Sequence, residues 1–176
     1  MIKVHNKIFE RFISTKEINK IISRLANELE DLKNENPHFI VVLNGSFMFA
    51  SDLLKKISYD SKVSFIKLKS YEGTKSSGIV NEVIGLDESL KNQTVVVIED
   101  IIDTGKTLNK IHQILTEKKP KKIEVVTMLL KPDIYDGRIE IKYIGKKIKN
   151  EFVLGYGLDY KELGRTLQEI FKLKKC

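Results

Sequence analysis

The apolar positions of the chain change between helical spacing and short continuous runs. After Ser14, apolar residues recur at positions 18, 21, 22, 25, 29 and 32, the spacing of one helical face, and Asn36-Pro37 follows them. Ser14 and Glu17 have the separation of a capping box, in which each side chain bonds the backbone N–H of the other residue. The pattern predicts a helix between Ser14 and Asn36.

Three runs are mainly apolar without alternation: residues 39–43, 94–98 and 123–130. Such runs favour strands that are buried on both faces, as in a parallel sheet. Helical spacing returns after the first run, at 47–57, and after the second, at 108–115. Strands that alternate with helices across short connections predict an α/β fold, with a central mainly parallel sheet flanked by helices.

Outside these units the pattern is weaker. A further strand is predicted at 63–68, and short strands are predicted at 139–144 and 152–155. Residues 162–173 fit either a helix or a strand. Residues 71–81 are poor in apolar side chains and contain two glycines, which predicts a long mobile loop.

The chain has 176 residues, of which 41% are hydrophobic and 31% charged, the composition of a globular domain that buries a core without disulfides. No linker or repeat divides it. We expect one domain, 1–176, with these approximate parts: a core over 14–131, and a small hood or lid from 1–13 and 132–176.

The net charge of +7 is typical of proteins that bind nucleic acid. Arginine, the usual reader of guanine edges, is scarce, however, and small polyanions suit the same charge. The four arginines are Arg11, Arg24, Arg138 and Arg165. The one cysteine, Cys176, favours a reducing compartment, and no apolar run reaches the roughly 20 residues of a membrane span. We expect a cytoplasmic protein that binds neither membranes nor nucleic acid.

The segment richest in chemistry follows the second apolar run. Glu99 and Asp100 come at the end of this strand, Asp103 follows, and the turn 104–107 (Thr-Gly-Lys-Thr) opens the next helix. In open α/β sheets ligands bind outside the carboxyl ends of the strands, and a helix N-terminus binds anions. Carboxylates accept hydrogen bonds from sugar hydroxyls, whereas the turn donates to phosphate. A ribose phosphate carries both kinds of group.

Other interpretations of this segment are weaker. Gly105-Lys106-Thr107 imitates the end of a nucleotide-binding P-loop, but that motif requires glycine where Asp100 stands. A capped helix with surface acids explains any single aspartate, but not two acids at the end of a buried strand. A metal-dependent hydrolase is a minor alternative, because no histidine spacing suggests zinc.

The run Glu99-Asp100-Ile101-Ile102-Asp103-Thr104-Gly105-Lys106-Thr107 resembles the phosphoribosyl-diphosphate (PRPP) motif of type I phosphoribosyltransferases, most closely the hypoxanthine/guanine branch. The likeness extends over roughly 39–165. It implies the α/β fold with a hood, and a purine-salvage reaction. A 6-oxopurine, hypoxanthine and also guanine, would take the phosphoribosyl group of PRPP to give IMP or GMP and pyrophosphate, with Mg²⁺.

The resemblance also implies the part that binds sugar and diphosphate. Thr104, Gly105, Lys106 and Thr107 would anchor the 5′-phosphate, and Glu99 and Asp100 would hold the ribose hydroxyls, directly or through Mg²⁺. Residues 42–53 resemble the pyrophosphate loop, in which Asn44, Gly45 and Ser46 would bind diphosphate. The family often has lysine where Asn44 stands, and it often has a cis peptide just before, at Leu43–Asn44.

The base-binding part is implied in the same way. Asp103 would accept a hydrogen bond from purine N7 and act as the catalytic base, and Lys131 would donate to the 6-oxo group, which opposes adenine. Phe152 would stack on the ring, and the Val153 backbone would bond to its edge.

Three further elements complete the implied site. Asp159, on the purine side, would help to position Mg²⁺ with Glu99 and Asp100, and Arg165 would clamp the diphosphate. Ser70-Tyr71 would begin a mobile lid that excludes water.

Alternatives remain open at this point. A PRPP-sensing regulator that binds nucleic acid could use the same fold, and xanthine could be the preferred base. The resemblance implies a homodimer or homotetramer, with the Asn44 region near a subunit contact.

Overall fold

The computed structural model describes residues 1–69 and 81–174. Ser70 and Tyr71, the predicted mobile loop up to residue 80, and Cys176 lie outside the described residues. The elements, in chain order, are β1 (Ile2–Val4), β2 (Lys7–Ile13), α1 (Thr15–Leu29), a 3-10 helix (Glu30–Glu35), β3 (His38–Val42), α2 (Phe47–Leu54), β4 (Val63–Lys69), β5 (Asn81–Ile84), β6 (Thr94–Ile102), α3 (Lys106–Glu117), β7 (Lys122–Leu130), β8 (Tyr143–Lys147), β9 (Val153–Leu154) and β10 (Ile170–Leu173).

The central sheet has the strand order β5-β4-β3-β6-β7-β8. Five neighbouring strands, β4, β3, β6, β7 and β8, pair in parallel, and β5 joins the outer edge of β4 antiparallel. This confirms the predicted α/β fold with a central mainly parallel sheet. Because β3 and β6 are neighbours, the loops that follow their carboxyl ends meet at one edge of the sheet.

The central strands of the sheet are buried on both faces, which explains why they show no alternation. On one face Phe39 and Val41 of β3 pack with α1 and α2. On the other face Ile40 and Val42 pack with the buried side of α3. Each position of β3 therefore meets a core, whichever way its side chain points.

Helix α1 begins as predicted, but only half of the capping box forms. The Ser14 hydroxyl accepts a hydrogen bond from the Glu17 N–H (3.3 Å). The Glu17 carboxylate forms an ion pair with Lys146 of β8 instead of returning to Ser14. A cation on a neighbouring strand thus competes with the local cap.

The two chain ends form a second, antiparallel sheet in the order β1-β2-β10-β9. We call this sheet, with the loops between β9 and β10, the hood. Within residues 162–173 the element is a strand, Ile170–Leu173. Among the described residues no helix is long and apolar enough to cross a membrane.

The placement of 139–144 in the hood was wrong. The strand begins only at Tyr143 and runs parallel to β7, with Val126 opposite Tyr143. Tyr143 is buried against the core on the α1 side. The strand therefore extends the central sheet and covers the edge that β7 would otherwise expose.

Candidate active site

The predicted acid pair lies near the carboxyl end of β6, and the strand is two residues longer than predicted. β6 continues to Ile102, and the pairing of Glu99 with Thr127 keeps it in the sheet. Glu99 is buried, and Asp100 is partly buried. The strand continues because β7 offers hydrogen-bond partners up to Leu130.

Burial shapes the electrostatics of this pair. It raises the pKa of Glu99 well above its ordinary value, and the adjacent Asp100 raises it further. Burial also raises the pKa of Asp100 to about 6, although the Ile101 N–H and the Arg165 guanidinium favour the ionised form. Glu99 Oε2 has no hydrogen-bond partner among the described residues. The pair therefore holds a proton readily when no cation or ligand neutralises it.

The raised pKa predicts a pH-dependent stability effect. A carboxyl group whose folded pKa is raised stabilises the fold below its unfolded pKa, and this contribution is lost as the pH rises through about 6. Asp100→Asn should therefore raise the thermal midpoint of the ligand-free protein at pH 8. We expect about 2–4 °C, the shift that about 1 kcal/mol produces in a chain of this size.

The measurement is thermal unfolding at pH 5 and at pH 8. The gain should shrink at pH 5, where the parent's Asp100 is largely protonated. Asp87→Asn, at an exposed acid, is the matched control and should change neither midpoint. A gain of the same size at both pH values would show that charge is not its cause.

The backbone of the predicted pyrophosphate loop packs directly on the acid pair. A Cβ at Gly45 would lie 1.7 Å from Asp100 Oδ2, so a larger residue there would have to displace the Asp100 carboxylate or the loop. The Leu43–Asn44 peptide is cis, as predicted. The Ser46 N–H is donated to the Val42 carbonyl over a long 3.4 Å, and the buried Ser46 hydroxyl has no partner among the described residues.

The predicted phosphate turn opens α3. Gly105, at the N-cap, has a φ of +85°, which favours glycine, and the ring of Tyr135 covers it. Thr104, Lys106 and Thr107 are exposed beside it. Residues 99–108 line a cavity of about 260 Å³. The acid pair and the first turn of α3 therefore line one cavity.

Lys131 and Asp103 form an ion pair that the sequence analysis did not foresee. Lys131 Nζ lies 2.7 Å from Asp103 Oδ1; the lysine side chain is buried and that of Asp103 is 50% exposed. The Lys131 N–H also donates to the Ile102 carbonyl (3.0 Å). Ile102 and Leu130 end neighbouring parallel strands in register, so the residues that follow them are adjacent; the sequence indicates the two strands but not this register.

Arg165 and Asp159 are brought together in the hood loop. Arg165 Nη2 lies 2.6 Å from Asp159 Oδ1, and Arg165 Nη1 donates to the Gly157 carbonyl (2.8 Å). The second oxygen of Asp159 accepts from the Glu162 N–H (2.7 Å). Arg165 is also near enough to lower the pKa of Asp100.

The three predicted magnesium ligands do not form one cluster. Among the described residues, no group of three or more histidine, cysteine or acidic side chains is arranged to hold a metal ion. Glu99 and Asp100 are adjacent, whereas both oxygens of Asp159 are engaged by Arg165 and the Glu162 N–H. Asp159 is therefore not placed as a third carboxylate ligand beside Glu99 and Asp100.

Phe152 and Val153 belong to the hood. Val153 pairs with Lys172 of β10. The Phe152 ring is 43% exposed, and its aromatic neighbours are Phe9 (centroids 6.2 Å apart) and Tyr160 (5.6 Å). A half-exposed ring directly before β9 offers a surface on which a planar ligand can stack.

The comparison with protein families agrees with this geometry. A family model described as a phosphoribosyl transferase domain matches residues 10–161. The match includes β6, the phosphate turn and Lys131, which form the candidate site. The fold and the site are therefore those of the phosphoribosyltransferase class.

Individual relatives indicate which family within the phosphoribosyltransferase class the chain resembles. The hypoxanthine-guanine phosphoribosyltransferase of Staphylococcus aureus (strain Mu50) is 41% identical over 173 residues, which is 97% of each chain. The crystal structure of a hypoxanthine phosphoribosyltransferase from the same species has a TM-score of 0.88 at 41% identity, over 97% of this chain and 94% of that one. A hypoxanthine-guanine phosphoribosyltransferase from Bacillus anthracis, solved with HEPES in its active site, has a TM-score of 0.86 at 34% identity, over 94% and 98%. This chain belongs to the hypoxanthine-guanine phosphoribosyltransferase family.

Proposed function

We propose that this protein transfers the 5-phosphoribosyl group of PRPP to hypoxanthine and guanine, giving IMP or GMP and pyrophosphate, in a cytoplasmic salvage reaction. The observation that carries the proposal is the buried Glu99-Asp100 pair beside the turn 104–107, at the carboxyl end of a central parallel strand. This arrangement offers acceptors for ribose hydroxyls next to donors for a phosphate. The matched relatives bear the name of the same activity.

The sugar-phosphate half of the site acts mainly by positioning. The N–H groups and hydroxyls of 104–107 would hold the 5′-phosphate at the N-terminus of α3. Glu99 and Asp100 would accept hydrogen bonds from the ribose hydroxyls. Purine N9 attacks C1 of the ribose as the C1–oxygen bond to pyrophosphate breaks, and fixed geometry with matched charge supplies most of the acceleration.

The purine half uses the Lys131–Asp103 ion pair. Lys131 would donate to the 6-oxo group and Asp103 would accept from N7, so the purine edge that carries O6 and N7 would meet both members of the ion pair. Phe152 would stack on the purine ring, and the Val153 backbone would bond to the edge of the ring. Asp159 would belong to the same purine-binding part of the site. Because an ammonium group has no acceptor, it disfavours the 6-amino group of adenine.

The residues fit a magnesium ion. Glu99 Oε2 is buried and unpartnered among the described residues, and hard carboxylate oxygens are the ligands that Mg²⁺ prefers. Glu99 and Asp100 would hold the ion together with PRPP oxygens and water, and Asp159 would help to position it through diphosphate or water, because both of its oxygens are engaged by Arg165 and the Glu162 N–H. When bound, Mg²⁺ neutralises the charge of the diphosphate. Asn44, Gly45 and Ser46 would contact the diphosphate, and Arg165 would supply the positive charge that the neutral Asn44 lacks.

A substrate panel tests the proposal. The protein is incubated with PRPP, Mg²⁺ and one of hypoxanthine, guanine, xanthine, adenine or uracil, and nucleotide formation is measured. We expect product from hypoxanthine and guanine. Xanthine as the best substrate would favour the xanthine-preferring alternative, and no product with PRPP-dependent retention of RNA or DNA in a gel would favour the regulator.

Lys131→Ala should relax base selection. We expect the KM for hypoxanthine to rise about tenfold, the loss of about 1.4 kcal/mol from one hydrogen bond to a charged donor, and the discrimination against adenine to fall. Steady-state kinetics with both bases measure this. Lys110→Ala, on α3, is the control. Unchanged constants for Lys131→Ala would remove Lys131 from the base site.

We also propose that the protein is a homo-oligomer, a dimer or a tetramer. On the α1/α2 face of the sheet, Val63 and Phe65 of β4 are 39% and 47% exposed, although Phe39 and Val41 beside them are buried. Phe47, next to the pyrophosphate loop, is 42% exposed. Large exposed apolar side chains on a central sheet favour a protein partner, and a second copy of the chain is the simplest one.

Phe65→Glu should dissociate this assembly. Sedimentation of the parent is expected at two or four times the 20.3 kDa chain mass, and of the variant at a lower multiple. Ile8→Glu, at an equally exposed apolar position in the hood, is the control and should retain the parent's mass. A monomeric parent would contradict the proposal.

A further inference from the structure

Tyr156 and Asp52 form a contact that the proposed reaction does not use. The buried Tyr156 hydroxyl donates to Asp52 Oδ2 over 2.9 Å, although the residues are 104 positions apart. Tyr156 has a φ of +52°, between Gly155 (+99°) and Gly157 (+98°). A tyrosine in the left-handed region is held there by its surroundings, because the conformation is costly for a side chain with a Cβ.

The contact joins the hood to the helix that carries the pyrophosphate loop. Asp52 lies in α2, which begins directly after Ser46. On the other side, the Gly157 backbone packs on the Gly45 carbonyl so closely that an added Cβ would lie 1.9 Å from its oxygen. Two contacts, one polar and one steric, therefore bind the same hood loop to the same loop-helix unit.

The hood loop in turn holds Arg165. The Gly157 N–H donates to the Arg165 carbonyl (2.9 Å), and the Gly157 carbonyl accepts from Arg165 Nη1 (2.8 Å). Gly157, which rests on Gly45, therefore holds Arg165 both by its backbone carbonyl and by its guanidinium. Displacement of Gly157 would move Arg165 relative to the acid pair.

We propose that Tyr156 is a positioning residue, whose hydroxyl, anchored on Asp52, seats Gly157 against Gly45 and so aligns Arg165 with the diphosphate. This inference rests on the proposed function. Burial and the Asp52 carboxylate raise the pKa of Tyr156, so the hydroxyl keeps the proton that it donates. A hydrogen bond to a carboxylate is among the stronger ones available to a tyrosine.

Tyr156→Phe removes the hydroxyl and retains the ring. We expect the KM for PRPP, and the KM for pyrophosphate in the reverse reaction, to rise about tenfold, as for the loss of one hydrogen bond to a charged group. The KM for hypoxanthine should rise less, because Lys131 and Asp103, the proposed partners of the 6-oxo group and N7, follow strands of the central sheet and do not belong to the hood loop. Calorimetric titration with pyrophosphate provides a second readout that does not depend on turnover.

Matched variants separate positioning from general destabilisation. Tyr59→Phe also loses a partly buried hydroxyl bond, to the Leu29 carbonyl (2.9 Å), and should lower the thermal midpoint without changing either KM. Asp52→Ala should reproduce Tyr156→Phe. Asp52→Asn keeps an acceptor oxygen and should retain most of the parent's affinity for pyrophosphate.

The outcomes are distinct. An active parent, with Tyr156→Phe constants equal to those of the parent, would overturn the inference alone. A parallel rise in the hypoxanthine KM would also overturn it, since that result indicates loosening of the whole site. A parent that forms no nucleotide would overturn the proposed function, and the inference with it.

Discussion

Replacing Asp103 by asparagine should lower kcat for hypoxanthine about 100- to 1000-fold, while the Kd for PRPP changes little. The expected size is that of losing one general acid–base group. Asparagine retains an oxygen that accepts from Lys131, whose Nζ is 2.7 Å from the carboxylate, so the buried ammonium keeps a partner. The variant loses the negative charge that would accept the proton of purine N7, but it keeps the shape of the site. Single-turnover rates and PRPP titration measure the two effects separately.

The control for this variant is Asp133→Asn, an exposed acid two residues after Lys131. It should keep the parent's kcat and thermal midpoint. If Asp103→Asn turned over at the parent's rate, Asp103 would not be the base. If the variant instead lost PRPP affinity to the same extent as kcat, Asp103 would belong to the sugar-phosphate half of the site.

Gly45→Ala should reduce kcat/KM for PRPP by at least about 100-fold, although the protein still folds. The added methyl carbon would occupy a point 1.7 Å from Asp100 Oδ2, and the opposite side of the loop is closed by Gly157. Either the loop or the carboxylate must move, and both belong to the proposed sugar-diphosphate site. A displacement of about 1 Å in a positioned site costs about two orders of magnitude in rate.

Gly137→Ala is the matched control, because an added Cβ there meets nothing within 4 Å. Its φ of +70° makes alanine strained, so its thermal midpoint should fall slightly while its kinetics stay those of the parent. Retention of kcat/KM in Gly45→Ala would mean that the loop yields freely and that its close fit to Asp100 has no role in binding.

Local pattern was sufficient for most elements of the core. The apolar run 39–43 corresponds to β3, His38–Val42, and the helical spacing at 108–115 lies within α3, Lys106–Glu117. The second run was given too early an end, because two carboxylates resemble the end of a strand. Pairing with β7 carries β6 on to Ile102. Strand length depends on the partner, which no local window contains.

The hood shows a different limit of sequence reasoning. The strand near 143 has the same short apolar pattern as β9, yet β8 joins the central sheet and β9 joins the hood. A two- to five-residue strand carries too little information to choose its sheet, so the available edge decides. β8 pairs with the edge of β7 that no other described strand occupies, with Val126 opposite Tyr143.

By itself, the sequence determined which chemical groups come at the end of a buried strand, since acids, a Thr-Gly turn and a helix start are adjacent along the chain. Only the tertiary structure decided which distant groups meet them: Lys131 on Asp103, Gly45 on Asp100, and Tyr156 on Asp52. Backbone periodicity is a property of neighbouring residues. Contacts between residues that are far apart depend instead on strand order and register, which arise only when the whole core packs.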